Sequence, residues 1–343
     1  MSWIGRHKAL FAFLALTGVL FAGVAGWAIY LNNQIGNVPR IDLGLDDEKR
    51  PDRPTGAAAD SLNILLAGAD SGNNTGPSIA ESVSDGEWNP GTYRSDTIMI
   101  LHITADREQA YLISIPRDSW ISIPGRGKQK VNAAFSLGGP SLYLQTIEQF
   151  SGLRMDHLAI IDWEGFRSLT TALGGVKVTI PETVTDPSTG VTWEEGTQTL
   201  QGNEALQYVR QRKGLANGDF DRIKRQQNFM RATMSQLLSQ GTMTSPLKMT
   251  DALKAITSNL TVDKDFSNGE MRKLALSLRG LRTNDVTFVT IPTECCRTID
   301  GQSTVTVLED QTRGLFGAVM ADELDTYIKD HEADLLGDAG SVS

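Results

Sequence analysis

The chain has 343 residues, 40% hydrophobic and 21% charged, with 32 Lys and Arg against 41 Asp and Glu, a net charge of −9. That length provides for one large domain or two ordinary ones, and the composition excludes wholesale disorder, a collagen-like fibre and a polytopic membrane protein. The acidic total argues against a general nucleic-acid binder, two cysteines cannot build a disulfide scaffold, and His7, His102, His157 and His331 are too scattered for a zinc cluster.

Residues 1–8 form a short tail carrying Arg6 and Lys8, after which no formal charge occurs until Arg40. Within that stretch Ala9 to Leu31 is almost wholly apolar, long enough for a transmembrane helix over 9–31. The cations on its near side place the N-terminus in the cytoplasm. A cleaved signal peptide is the alternative, but it needs a shorter apolar region and a small-x-small site, and Gly26-Trp27-Ala28 is a poor one. In either reading the remainder, with a net charge of −11, lies outside the membrane. Residues 32–61 are rich in Pro, Gly and charge and read as a linker.

Short β-rich runs follow at 62–68, 97–103, 110–116, 156–162, 176–181 and 286–292. Helical patterns lie between them at 140–151, 164–173, 203–213, 220–240, 246–258 and 268–280. Continuous apolar strand runs alternating with helices predict a three-layer αβα domain around a central mixed sheet over 62–330, with a frayed tail at 331–343. Residues 71–95 form a long polar loop. GRGKQK (125–130) and GPSIA (76–80) lack the closing residues of a phosphate loop and a nucleophile elbow, and read as turns. The adjacent Cys295 and Cys296 suit either a vicinal disulfide or two thiols.

Two constellations point to chemistry. A hairpin centred between Asp106 and Arg107 pairs residues whose numbers sum to 213, which sets Asp96 opposite Arg117. That register gathers Arg94, Asp96, Arg117 and Asp118 at one end of the sheet, and Asp70 joins them if its strand runs parallel to 110–116. Such a group suits a divalent cation and a phosphate; it also suits a surface ion-pair cluster of little energetic weight. Further on, residues 205–231 hold seven cations, among them Arg210, Arg212, Lys213, Arg222 and Arg225, against Asp219 and Asp221, a local charge of +5. Asn217-Gly218-Asp219 ends one helix there and starts the next. A solvated cationic face is the bland reading of this run. The reversal of charge within an acidic chain favours an anionic ligand, and the preponderance of Arg favours planar bidentate contacts to phosphate oxygens.

These residues resemble the LytR-CpsA-Psr family of cell-wall glycopolymer ligases, in LLAGAD (65–70), YRSDTIMI (93–100), SIPRDSW (114–120), KVNAAFSLGG (130–139), ALGGVKVTIP (172–181) and the run 200–227. The resemblance is dense over 62–240 and includes the N-terminal anchor. It implies a single-pass protein of the cell membrane with its catalytic domain on the outer face. That domain would transfer a phosphoglycopolymer (teichoic acid, arabinogalactan or capsule type) from a polyprenyl pyrophosphate to a peptidoglycan sugar hydroxyl, releasing polyprenyl phosphate. By motif position, Asp70 and Asp96 would organise Mg2+ or Mn2+, and Asp96, Asp70 and Arg117 would be catalytic. Arg94, Arg117, Arg210, Arg212, Arg222 and Gln226 would bind pyrophosphate, supported by Asp118, Asp219 and Lys130. The polyprenyl chain needs a hydrophobic groove, for which the helices at 140–151 and 220–240 are the candidates. Many members carry Arg two residues after the first Asp, where this chain has Gly72. Two other readings remain: a pyrophosphatase with water as acceptor, and a non-catalytic envelope regulator. The tail of residues 1–8 leaves no room for a DNA-binding domain.

Overall fold

A computed structural model describes residues 33–70, 79–85, 88–216, 218–237, 239, 245–331 and 335–337. The tail at 1–8, the membrane helix expected over 9–31, Gly72 and most of 331–343 lie outside these residues. Among the described ones no helix is long and apolar enough to cross a membrane.

The strands are β1 (Arg40–Ile41), β2 (Leu62–Asp70), β3 (Arg94–Ile103), β4 (Ala110–Ser114), β5 (Trp120–Ile123), β6 (Gly127–Lys130), β7 (His157–Asp162), β8 (Val176–Ile180), β9 (Val184–Thr185), β10 (Thr192–Trp193), β11 (Gly196–Leu200), β12 (Leu260–Asp263), β13 (Val286–Thr290), β14 (Thr293–Ile299) and β15 (Gln302–Val307). The helices are α1 (Ile79–Ser84), α2 (Asn132–Ser151), α3 (Trp163–Ala172), α4 (Gly202–Arg210), α5 (Asp219–Leu237), α6 (Pro246–Thr257), α7 (Asn268–Ser277), α8 (Glu309–Ala321) and α9 (Leu324–Asp330). Local signals set their boundaries. Ser245 caps α6 ahead of Pro246, Ser267 and Glu270 form a capping box on α7, and Asp162 caps α3 through the Gly165 amide.

A seven-stranded mixed sheet runs in the order β1-β12-β7-β2-β3-β4-β13. Alternate side chains of its strands enter two cores, because successive residues of a strand point to opposite faces. Leu65, Ala67, Ile98, Ile100 and Ile113 pack with Tyr143, Leu144 and Ile147 of α2 and Leu315, Phe316 and Val319 of α8. Ile64, Met99, Leu112 and Phe288 pack with Met230 and Met234 of α5 and Met271 and Leu274 of α7. The sheet thus has helices on both faces, as expected. The same parity corrects the expected groove: α2 and α5 lie on opposite faces of the sheet and do not line one channel together.

Two further expectations change. The run at 176–181 reads like a central strand, but β8 pairs only with β11, in a separate antiparallel sheet. That hairpin joins α3, α4, α5 and α6 in a third core around Trp193, Tyr208 and Phe229. The linker at 32–61 is docked on the domain from Val38 onward. Val38 and Ile41 are buried, β1 pairs in parallel with β12, and Arg50 reaches Glu148 and the Met155 carbonyl. The polar loop at 71–95 contains α1 and the indole of Trp88, which donates to the Ser136 carbonyl and packs against Tyr93 and Phe135. Gly139, at the kink ahead of Pro140 in α2, has φ +66° and leaves room for that indole: a Cβ there would stand 2.9 Å from Trp88.

Candidate functional site at the sheet edge

The β3–β4 register is Met99↔Ser114, Ile100↔Ile113, Leu101↔Leu112, His102↔Tyr111 and Ile103↔Ala110, every pair summing to 213. Strands β2 and β4 both run antiparallel to β3, so β2 is parallel to β4, the condition that brings Asp70 to the same edge. There the backbone of Asp70 pairs with that of Arg94, whose side chain is exposed.

At this edge the β2–β3 ladder slips. Gly68 faces Thr97 and Ala69 faces Ser95, which makes Asp96 the extra residue of a β-bulge. Gly68 permits the close approach, since a Cβ would lie 3.0 Å from the Thr97 Cβ. Asp96 pairs with Arg117 Nη1, and both side chains are about four-fifths buried, with 18% and 20% exposure. Arg117 Nε lies 3.8 Å from Asp118 Oδ2, and Lys130 Nζ lies 3.2 Å from Asp118 Oδ1. The four groups alternate in charge along a row, with the buried Asp118 holding two cations in place.

The α4–α5 segment closes on the same edge. Thr97 Oγ1 donates to Gln226 Oε1 at 3.4 Å, and Gln226 Nε2 donates to the Val209 carbonyl at 3.2 Å. The Arg210 guanidinium stands 5.4 Å from the centroid of the Trp163 indole, a cation–π contact at the end of β7. Arg212 lies exposed in the turn beyond α4, Arg222 is buried in the first turns of α5, and α5 itself begins at Asp219. The structure therefore brings Asp70, Arg94, Asp96, Arg117, Asp118, Lys130, Arg210 and Gln226 to one edge, each by a pairing or contact given above.

Three residues absent from the sequence reading, Asp162, Trp163 and Gln227, belong to this architecture, together with Arg225 of the basic run. Asp162 pairs in register with Ala69, beside Asp70, and accepts the Gly165 amide at 2.7 Å. Burial holds its pKa above the ordinary carboxylate value, against the lowering effect of that bond. Trp163 carries Arg210. Arg225, 1% exposed, donates to Gln211 Oε1 at 2.7 Å and lies 4.6 Å from the Tyr208 ring centroid; burial lowers its pKa. Gln227 Nε2 donates to Ser114 Oγ, the Val289 carbonyl and Thr290 Oγ1, fastening α5 to the sheet. Asp162 had a legible signal: LAIID-W repeats the apolar-strand-then-Asp pattern of LLAGAD.

Among the described residues no three His, Cys, Asp or Glu side chains gather as a metal cage. The edge carries carboxylates at Asp96, paired with Arg117, and at Asp162, which caps α3 through the Gly165 amide. The structure joins Cys295 and Cys296 as a disulfide; the pair occupies the slip in the β14–β15 ladder between Glu294 and Arg297.

Fold and site together define a mixed α/β domain whose sheet edge sets arginines around carboxylates, an arrangement made for oxyanions. The LytR_cpsA_psr family model matches residues 41–318, and the chain belongs to that family. It is 32% identical to the cell wall biosynthesis protein LcpA of Corynebacterium glutamicum, over 90% of this chain, and spans 65% of that relative's length. It is 30% identical to a polyisoprenyl-teichoic acid–peptidoglycan teichoic acid transferase, TagU, of Halalkalibacterium halodurans, over 86% of this chain and 97% of the relative. Among solved structures, the LytR-Csp2A-Psr enzyme from Actinomyces oris superposes with a TM-score of 0.63 at 21% identity, over 82% of this chain and 95% of the other, a likeness of fold.

Proposed function

We propose that the chain transfers a glycopolymer from a polyprenyl pyrophosphate to a peptidoglycan sugar hydroxyl, releasing polyprenyl phosphate. It would act on the outer face of the membrane, anchored by the helix at 9–31. The observation that carries this reading is the bulged Asp96, held against Arg117 at the edge where Arg94, Arg210 and Gln226 converge. The name of the TagU relative supports the substrate class.

Phosphoryl transfer asks for in-line placement and neutralised oxygens more than for a protein nucleophile. Arg117, Arg94, Arg210 and Arg212 supply fixed positive charge for a pyrophosphate, while Asp118 and Lys130 hold Arg117 in orientation. Asp70 and Asp96 would hold Mg2+ or Mn2+, which when bound spreads the charge of the phosphate oxygens. Asp96, next to Arg117, would take the proton of the acceptor hydroxyl. Gln226 and Gln227 position α5.

Purified full-length protein in detergent, given a radiolabelled lipid-linked donor and peptidoglycan, should move label into insoluble glycan, and EDTA should stop it. Release of soluble phosphorylated glycan alone would make the protein a pyrophosphatase. Transfer unaffected by EDTA would remove Asp70 and Asp96 from a metal role.

A further inference from the structure

Away from the sheet edge, a cleft of about 620 Å3 opens between the β5–β6 hairpin, the end of α2, the β14–β15 hairpin and the start of α8. Phe150 and Phe316, edge to face with centroids 5.6 Å apart, line it together with the half-buried Trp120. Its rim bears Lys128, Arg297 and Arg313 against a single acid, Glu309, in a chain of net charge −9. Glu309 lies 3.7 Å from Lys128, and Arg313 pairs with Asp310 at 3.2 Å, so Arg297 is the cation that these acids do not hold. Arg297 is exposed immediately after the Cys295–Cys296 bulge, at the point where the β14–β15 ladder resumes opposite Thr304.

We propose that this cleft is a subsite for the acceptor glycan. An aromatic wall with a cationic rim matches a sugar strand that carries carboxylates: the apolar face of a ring packs on Trp120, and Arg297 and Lys128 meet the acids. Strand β6 links the cleft to the reacting edge. Lys128 and Lys130 sit two residues apart on β6 and so point to one side of the strand. Lys130 in turn contacts Asp118, which holds Arg117. A strand lying along Lys128 and Lys130 would lead its hydroxyl toward Asp96. The inference rests on the transfer reading for the role of the glycan, but its test does not depend on turnover.

Calorimetry on the full-length protein in detergent, without donor, measures binding of three probes. These are a tetrasaccharide of alternating N-acetylglucosamine and N-acetylmuramic acid, chitotetraose, and N-acetylglucosamine 1-phosphate. The first should bind, and chitotetraose should bind more weakly for want of carboxylates. Trp120→Ala should weaken the tetrasaccharide about tenfold, the loss expected for one aromatic contact. Arg297→Gln should reduce it to the level of chitotetraose, and Trp120→Phe, with an unchanged melting curve, should retain most of the affinity. Undiminished binding in both Trp120→Ala and Arg297→Gln, or binding of the sugar phosphate alone, overturns the proposal. Transfer activity without tetrasaccharide binding sinks the subsite and leaves the transfer reading; binding here without any transfer does the reverse.

Discussion

Arg117 stands between two acids, paired with Asp96 and 3.8 Å from Asp118, while Lys130 holds the far oxygen of Asp118. Such a row both orients the guanidinium and pairs part-buried acids. Arg117→Ala should cost about 1–3 kcal/mol in stability, since Asp96 loses its cation at a site four-fifths buried. Transfer should fall by about 100-fold or more, because a fixed charge aimed at the transferring phosphate is lost. Parallel melting and transfer assays check this, and a variant with full activity would move the site elsewhere. Asp162 gives a test in the pH dimension. Burial raises its folded-state pKa above the unfolded value, so the folded chain holds the proton more tightly. The stability tied to that carboxyl is complete below the unfolded value and is lost as pH rises through the folded one. Asp162→Asn keeps an N-cap acceptor for Gly165 and cannot ionise. It should be more stable than wild type at neutral pH, with the gap closing as pH falls below the ordinary value of 3.8. Urea titrations across that range decide it; a variant weaker at neutral pH would mean that the charge on the cap outweighs its burial.

The bulge between β2 and β3 is the element that aims Asp96, and it depends on Gly68. A Cβ at that position would meet Thr97 Cβ at 3.0 Å and Oγ1 at 3.2 Å, and Thr97 also carries the hydrogen bond to Gln226. Gly68→Ala should cost about 1–3 kcal/mol through overpacking. It should lower transfer further than the melting shift alone explains, since both Asp96 and the α5 contact are displaced. Wild-type transfer at a temperature well below the variant's melting point would refute this. The same element marks how far sequence reading reaches. The hairpin register was legible because a short polar turn leaves one symmetric pairing, whereas the parallel course of β2 and β4 was only a condition, which the antiparallel β2–β3 pairing supplies. The bulge was not legible, since it arises from one inter-strand contact. Nor was the fate of Val176–Ile180: an apolar run declares a strand but not its partner, and its pairing with Gly196–Leu200 is decided by the third core. The opposite placement of α2 and α5 belongs to topology in the same way, for both helices carry apolar stripes and only chain crossing assigns each to a face.

At the scale of the whole molecule, the segment before Leu62 is the part whose composition misleads most. Its prolines and charges suggest a free linker, yet its charges find partners about a hundred residues away. Arg50 Nη2 reaches Glu148 Oε1 at 2.7 Å and the Met155 carbonyl at 2.6 Å, while Arg154 Nη2 reaches Asp47 Oδ1 at 2.6 Å. Glu148 is 2% exposed and also accepts the Met155 amide at 2.9 Å. A carboxylate that deep needs its cation, so Arg50→Ala should cost about 3–5 kcal/mol, the penalty for a buried charge left unpaired. Arg50→Ala combined with Glu148→Gln should recover part of that loss, because the orphaned charge is gone. A chain starting at Leu62 should be less stable than either, having lost Val38 and Ile41 from the cores on the two faces of the sheet as well. Urea denaturation of the three proteins measures the order. A loss below about 1 kcal/mol in Arg50→Ala, the worth of an exposed pair, would show that residues 38–61 merely lie on the domain. The expected order would make them a strap fastened to β12 and α2, at the margin of the sheet that carries the site.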